Sequence, residues 1–184
     1  TWVSVSDMMA GLMMVFLFIA IIYIRNIGQY FDDINDIQSR LCTDLMSEFS
    51  NQERLDWKMT ICEEGLLIRF TGDSHFLEGS AKMLPKLEEI LNEFLPRFYS
   101  VVGNFREEIE EIRIEGHTNS RPCRGCNQFN GYLYNTSLSQ DRSKNVLEFA
   151  LNFLAEDGSL SPLLEWSYSH LTAHGMSSSQ PVLR

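Results

Sequence analysis

The sequence predicts an α+β protein in three parts: a single N-terminal transmembrane helix over residues 1–25, a helical linker over residues 26–59, and an α/β sandwich domain over residues 60–184. Three observations carry this. The stretch WVSVSDMMAGLMMVFLFIAIIYI, residues 2–24, is apolar apart from one charge, Asp7. Apolar residues seven apart follow it. Beyond residue 60, short β-patterned runs alternate with amphipathic helical runs, the pattern of a layered helix-and-sheet domain.

The apolar run comes first. Its roughly 23 residues make about 34 Å of helix, enough for a bilayer core of about 30 Å. A secretory signal is shorter, follows a basic flank and ends in small residues, whereas Ile-Tyr-Ile-Arg-Asn follows here. The basic flank that would set orientation is absent, and Arg25 alone is weak evidence. The chain begins with Thr rather than Met, which is read as a missing N-terminus.

Asp7 invites two readings. A carboxylate mid-membrane costs about 2.5–3.5 kcal/mol on insertion scales. Near one end it can lie solvated at headgroup depth or cap the helix. Alternatively, partner helices enclose it and it takes up and releases a cation, because burial raises a carboxyl pKa toward neutrality. Ser4 and Ser6 offer hydrogen bonds, and Gly11, at i+4, lets another helix approach. The Met8, Met9, Met13 and Met14 cluster suits flexible packing.

In the linker, Ile27, Ile34 and Leu41 form one heptad seam, with Tyr30 and Ile37 on the other. Two heptads fit either an amphipathic helix packed on its own domain or a parallel contact between two copies.

In the domain, Leu66–Phe70 is a short strand. Ser80 is a helix cap ahead of Leu84, Leu87, Leu91 and Leu95 on one face. Ile112 and Ile114 mark a second strand. A long loop leads to a second helix from Asn135, capped by Ser139, with Val146, Phe149, Ala150 and Phe153 inward. A last strand begins at Trp166.

Hydrophobic residues make up 44% of the 184, enough for a core once the membrane run is set aside. The net charge of −10 argues against a nucleic-acid partner, which phosphate binding would give clustered Lys and Arg.

Two resemblances emerge from these segments. SDMMAGLMMVFLF resembles the start of the transmembrane helix of the MotB family, and ExbD and TolR proteins carry a similar helix. The resemblance implies that Asp7 is the ion-carrying aspartate of a proton- or sodium-driven motor, with H+ or Na+ transported and no cofactor. FLEGSAKMLP, GHTNS, NTSLSQDR and LTAHGMSSSQPV resemble, in order, the motifs of OmpA-like peptidoglycan-binding domains. The likeness implies that Arg142 takes a carboxylate of the peptidoglycan stem peptide, which Arg grips with two parallel bonds. It also implies that Tyr134, Asn135 and Leu138 line the same end of the helix, with Thr118 in the facing loop. Asn119 stands where the family has Asp, keeping a carbonyl acceptor and losing the charge, for which Glu115 or Asp141 would have to compensate. The alternative for Arg142 is a surface ion pair with Asp141 or Glu148. His117 reads as a strand-end packing residue.

A wall-binding domain implies a periplasmic C-terminus, a cytoplasmic N-terminus and an inner-membrane location. In that oxidising compartment Cys123 and Cys126 suit a loop staple, with Cys42 and Cys62 pairing the linker to the domain. Zinc would want a second Cys-x-x-Cys, and a redox role would want the motif at a helix start; both stay open. The short flank before the apolar run, the cysteine-bearing loop and Asn119 resemble the ZorB family, MotB-like subunits of Zorya anti-phage defence systems. The implied assembly is a homodimer of this chain inside a ring of multi-pass MotA/ZorA-like membrane subunits, five around two copies, in the lipid bilayer and bound to peptidoglycan. The alternatives are a flagellar-type stator subunit and a passive tether from inner membrane to cell wall, which needs no Asp7. An enzyme is not expected, because His75, His117, His170 and His174 are scattered and no nucleophile–base set stands out.

Overall fold

The computed structural model describes residues 2–63, 65–72, 75–120 and 123–178, with side chains from Met8 onward. Helix α1 spans Trp2–Glu48. The chain divides into two units, the first ending at Arg40 and the second starting at Leu41. The division therefore falls earlier than residue 60, where the sequence had the domain begin.

The first unit is helix alone. Side chains 8–33 are all exposed, among them Phe16 at 62% and Ile24 at 67%. Among the described residues this is the one helix long and apolar enough to cross a membrane. In water so large an apolar surface demands a partner; in lipid it is the ordinary outer face of a spanning helix, whose backbone bonds are satisfied internally.

The second unit begins with the last turns of α1. Leu41 and Leu45, at i and i+4, are buried in this unit's core, and Phe49 just beyond is fully buried. Leu41, read as a heptad position, thus packs into its own domain. A capping box on Ser50 and Glu53 then opens α2, Asn51–Asp56. Strand β1, Met59–Ile61, pairs antiparallel with β2, Ile68–Phe70. A Cys42–Cys62 disulfide joins the end of α1 to the end of β1.

Helix α3, Pro85–Val102, has Pro in its first turn, where a missing N–H is harmless. Its cap position is Leu84; Ser80 does not cap it, and instead accepts a bond from the Lys82 N–H within the preceding loop. Leu87, Ile90, Leu91, Phe94, Leu95 and Tyr99 form its buried face. Phe94 stacks on Phe49 at 5.1 Å and meets Phe70 edge-on at 5.1 Å. Over this cluster lies Arg97, 4.6 Å from the Phe49 ring. It donates to the Glu48 carboxylate at 2.8 Å, to the Glu53 carboxylate at 2.6 Å, and to the Glu48 carbonyl.

After a 3-10 turn at Gly103–Phe105 comes β3, Ile112–Gly116. It pairs in parallel with β4, Leu171–Gly175, from Ile112 opposite Leu171 to Gly116 opposite Gly175. A parallel pair needs a crossover, supplied here by α4, Gln128–Glu156, and α5, Ser161–His170. Each strand pair stands as its own two-stranded sheet, so the α+β class holds with little strand.

Two expectations change here. The second helix starts at Gln128, capped by Asn127, whose side chain accepts from the Asn130 N–H at 2.8 Å. Ser139 therefore lies inside the helix, fully buried, with its hydroxyl donating to the Thr136 carbonyl. The strand expected from Trp166 begins only at Leu171. Residues 166–170 are helical because Trp166 and His170, one turn apart, stack at 4.4 Å, and the indole N–H donates to the Arg106 carbonyl at 3.0 Å. Tertiary contact overrides the strand preference of the aromatics.

Helix α4 lies on the strand ends with almost no gap. A Cβ at Gly116 would stand 2.1 Å from the Ser139 carbonyl oxygen, and one at Gly175 2.5 Å from the Gln140 nitrogen. Both neighbours are backbone and cannot swing away. Gly131, Asn135, Ser139 and Ser143, four residues apart, are the buried stripe that makes the contact.

Two outcomes follow. Gly116→Ala and Gly175→Ala should each cost about 2 kcal/mol or more, because backbone has to shift. Gly158→Ala, with open space around its Cβ, should stay within about 0.5 kcal/mol; urea unfolding of the purified chain reads both. The second concerns acid. Hydrogen bonds from Arg97 and then Ser50 hold the Glu53 carboxyl at about 2, below its ordinary 4.5. A lowered folded pKa gives stability that is present above 4.5 and is lost as pH falls toward about 2. Glu53→Gln should remove that part of the decline, so the gap between wild type and variant narrows across that window.

Candidate functional site

The four motif segments meet along one side of α4. Tyr134, Leu138, Arg142 and Asn145 recur at helical spacing, and three of them donate to backbone carbonyls of the 77–81 loop. The Tyr134 hydroxyl donates to Gly79 at 2.9 Å. Arg142 donates through Nε to Ser80 at 3.0 Å and through Nη2 to Leu77 at 3.4 Å. Asn145 donates to Ala81 at 2.8 Å. The Arg142 guanidinium also lies 4.9 Å over the Phe76 ring. Half-buried, it has its pKa lowered by loss of water, yet Arg stays charged at any working pH. Neither Asp141 nor Glu148 pairs with it among the described residues. The third nitrogen, Nη1, bonds to no protein group among them.

One turn away, α4 holds a second loop. The Asn135 side-chain amide, 4% exposed, donates to the Asn119 carbonyl at 3.2 Å. Thr118 is buried. Its N–H donates to the Ser177 carbonyl at 3.0 Å, while its Oγ1 is buried without a partner among the described residues. The Asn119 side chain is exposed. Glu115 faces His117 at 3.4 Å. The structure thus brings Thr118, Asn119, Tyr134, Asn135 and Arg142 to one region, with half-buried Leu138 between Tyr134 and Arg142 on the helix.

Asp7 lies within α1, but its side chain is outside the described residues, as are those of Ser4 and Ser6. Residues 179–182 of the closing motif also lie outside them. Cys123 pairs with Cys126 in the loop ahead of α4, so all four cysteines are in disulfides. Zinc and free-thiol roles are thereby set aside for this state.

Four residues have roles that the sequence alone did not indicate. Gln140 donates to the Ala173 carbonyl at 3.1 Å and accepts from the Gly175 N–H at 2.8 Å, closing the free edge of β4. The buried Ser139 hydroxyl accepts from the Ser177 N–H at 3.0 Å. Phe129 and Tyr132, read as loop, stand on the first turns of α4 beside a groove of about 920 Å³. The signal for Gln140 was its place inside Leu-Ser-Gln-Asp-Arg; a pairing 35 residues away leaves no local trace.

These features define a class: a protein with one helix long and apolar enough to cross a membrane, carrying a small α+β domain whose longest helix pins two loops. No protein-family model matches the chain. The Zorya protein ZorB of Escherichia coli is 35% identical over 99% of this chain and 79% of its own length. The chain belongs to the ZorB family. A solved structure, the cell wall anchor of the T6SS from Pseudomonas aeruginosa, is 19% identical and aligns with a TM-score of 0.46 over 80% of this chain and 85% of that one.

The pinned loop is testable. Arg142→Lys keeps the charge but cannot bridge two carbonyls with a planar fork, and should cost about 1.5–3 kcal/mol. Tyr134→Phe loses one exposed neutral bond, about 0.5–1 kcal/mol. Urea midpoints should rank wild type, Tyr134→Phe, Arg142→Lys; equal midpoints for Arg142→Lys and wild type would refute the pinning role.

Proposed function

We propose that this chain is the wall-anchored, ion-carrying subunit of a membrane motor in anti-phage defence. The observation that carries the reading is the near full-length relation to ZorB, which covers the apolar helix and the domain together. In this reading the N-terminus is cytoplasmic, the helix crosses the inner membrane once, and the domain is periplasmic. The disulfides accord with an oxidising compartment.

Asp7 is the ion carrier. It is the one charge before Arg25 in an apolar helix, and Gly11 one turn on lets a neighbouring helix close over it. Enclosure raises the carboxyl pKa, so H+ or Na+ binds and leaves within the physiological range. The partners are ZorA-type multi-pass subunits, five around two copies of this chain. A 100 mV potential supplies about 2.3 kcal/mol per charge, so each mechanical cycle draws on several ions.

Peptidoglycan is held at the Thr118, Asn119, Tyr134, Asn135, Leu138 and Arg142 region. The Nη1 edge of Arg142 takes a stem-peptide carboxylate, and the Asn119 carbonyl oxygens face the ammonium that an aspartate meets in the wider family. The wall grip keeps the complex still while ions drive the surrounding ring. The domain acts by binding, with no catalytic step.

Asp7→Asn tests the motor. The variant should co-purify with its multi-pass partner as wild type does, and should drop phage protection to that of cells lacking the system, scored as plating efficiency. Full protection by Asp7→Asn would leave a passive tether.

A further inference from the structure

The groove beside α4 has a chemistry unlike that of the Arg142 end. Its described lining is Ser120, Asn127, Gln128, Phe129, Gly131, Tyr132, Asn135 and Ser178, with no charged side chain. Phe129 is 69% exposed and Tyr132 51%, so two adjacent aromatic rings are presented at the groove's edge. Gln128, Gly131, Tyr132 and Asn135 recur at i, i+3, i+4 and i+7, so they share one helix face. Asn135 belongs both to this groove and to the site proposed for the wall ligand. Arg142 lies seven residues further along, about 10 Å down the axis.

We infer that this groove is a subsite for the glycan strand of the wall polymer, seating an uncharged N-acetylated sugar against Phe129 and Tyr132. The inference rests on the proposed peptidoglycan-binding reading and deepens it. A stem peptide carries ammonium and carboxylate groups, and the described lining offers them no partner of opposite charge. A pyranose ring presents an apolar face of C–H bonds and an edge of hydroxyls and an acetamide. Exposed aromatic rings match the face, and the amides of Asn127 and Gln128 with the hydroxyls of Ser120, Tyr132 and Ser178 match the edge. One helix then holds both components of the polymer: sugar toward its N-terminus, charged peptide near Arg142. Tyr132 and Arg142, ten residues apart on the helix, are separated by about 15 Å along its axis, a distance that a sugar and its extended stem peptide can span.

The test uses the purified full-length chain in detergent and three probes: intact sacculi, glycan strands stripped of peptide by an amidase, and free stem peptide. Wild type should bind the stripped strands. Phe129→Ala with Tyr132→Ala should weaken that binding about tenfold and leave stem-peptide binding within twofold. Arg142→Ala should weaken stem-peptide binding, read beside its own unfolding midpoint because Arg142 also pins the 77–81 loop. Because both rings are exposed, the unfolding midpoint of the double variant should match wild type. Phe129→Tyr with Tyr132→Trp, which keeps two ring faces, should restore strand binding and controls for a folding defect. Binding of sacculi without binding of stripped strands, or equal strand binding by wild type and the double alanine variant, overturns the glycan subsite and leaves the wall-anchor reading standing. Failure to bind sacculi at all overturns both.

Discussion

The domain depends on how closely α4 can approach the ends of β3 and β4. Gly116 and Gly175 face each other across the parallel pair, and each meets α4 backbone where any Cβ would collide. The helix answers with Gly131, Asn135, Ser139 and Ser143, side chains small enough or polar enough to share the space. Polar groups are tolerated there because they are bonded: Ser139 to Thr136 and Ser177, Gln140 to both sides of Gly175. The usual gap between helix and sheet is filled by large apolar residues. Here hydrogen bonds and glycine replace them, and the helix is correspondingly fixed in position and rotation.

That fixed rotation sets the site. With the small stripe against the sheet, Tyr134, Arg142 and Asn145 face the 77–81 loop, and Asn135 reaches the loop after β3. Arg142 consequently has two jobs on one side chain. Nε holds the Ser80 carbonyl and Nη2 the Leu77 carbonyl, and Nη1 bonds to no protein group among the described residues. A guanidinium does this where an ammonium cannot, because its donors are arrayed in a rigid plane. The same rotation turns Phe129 and Tyr132 outward at the start of the helix.

At the other side of the domain, the last turns of α1 are held by independent means. Leu41, Leu45 and Phe49 are buried, Cys42 is bonded to Cys62, and Arg97 joins Glu48 and Glu53 above the Phe49–Phe94 stack. This attachment combines packing, charge and a covalent link, and the three respond differently to pH and salt.

Much of this was legible from residues alone. The apolar run from Met8 declares its length and its solvent, and the 3.6-residue rhythm of α3 declares its buried face, because both are properties of local order. Tyr134, Asn135 and Arg142 could be found only from the resemblance of their segment to OmpA-like motifs. What the chain order could not say was where α4 begins or what its polar residues do. Ser139 looks like a cap, but the helix is capped earlier by Asn127; Trp166 looks like strand, but its indole N–H bonds the Arg106 carbonyl 60 residues away. The tertiary structure alone decided that Gly116 and Gly175 lie opposite each other, that Gln140 closes the β4 edge, and that Arg142 grips carbonyls rather than Asp141 or Glu148. Periodicity records only which way a side chain points along its own element; what it meets there depends on chain brought back across tens of residues, and that is settled by packing.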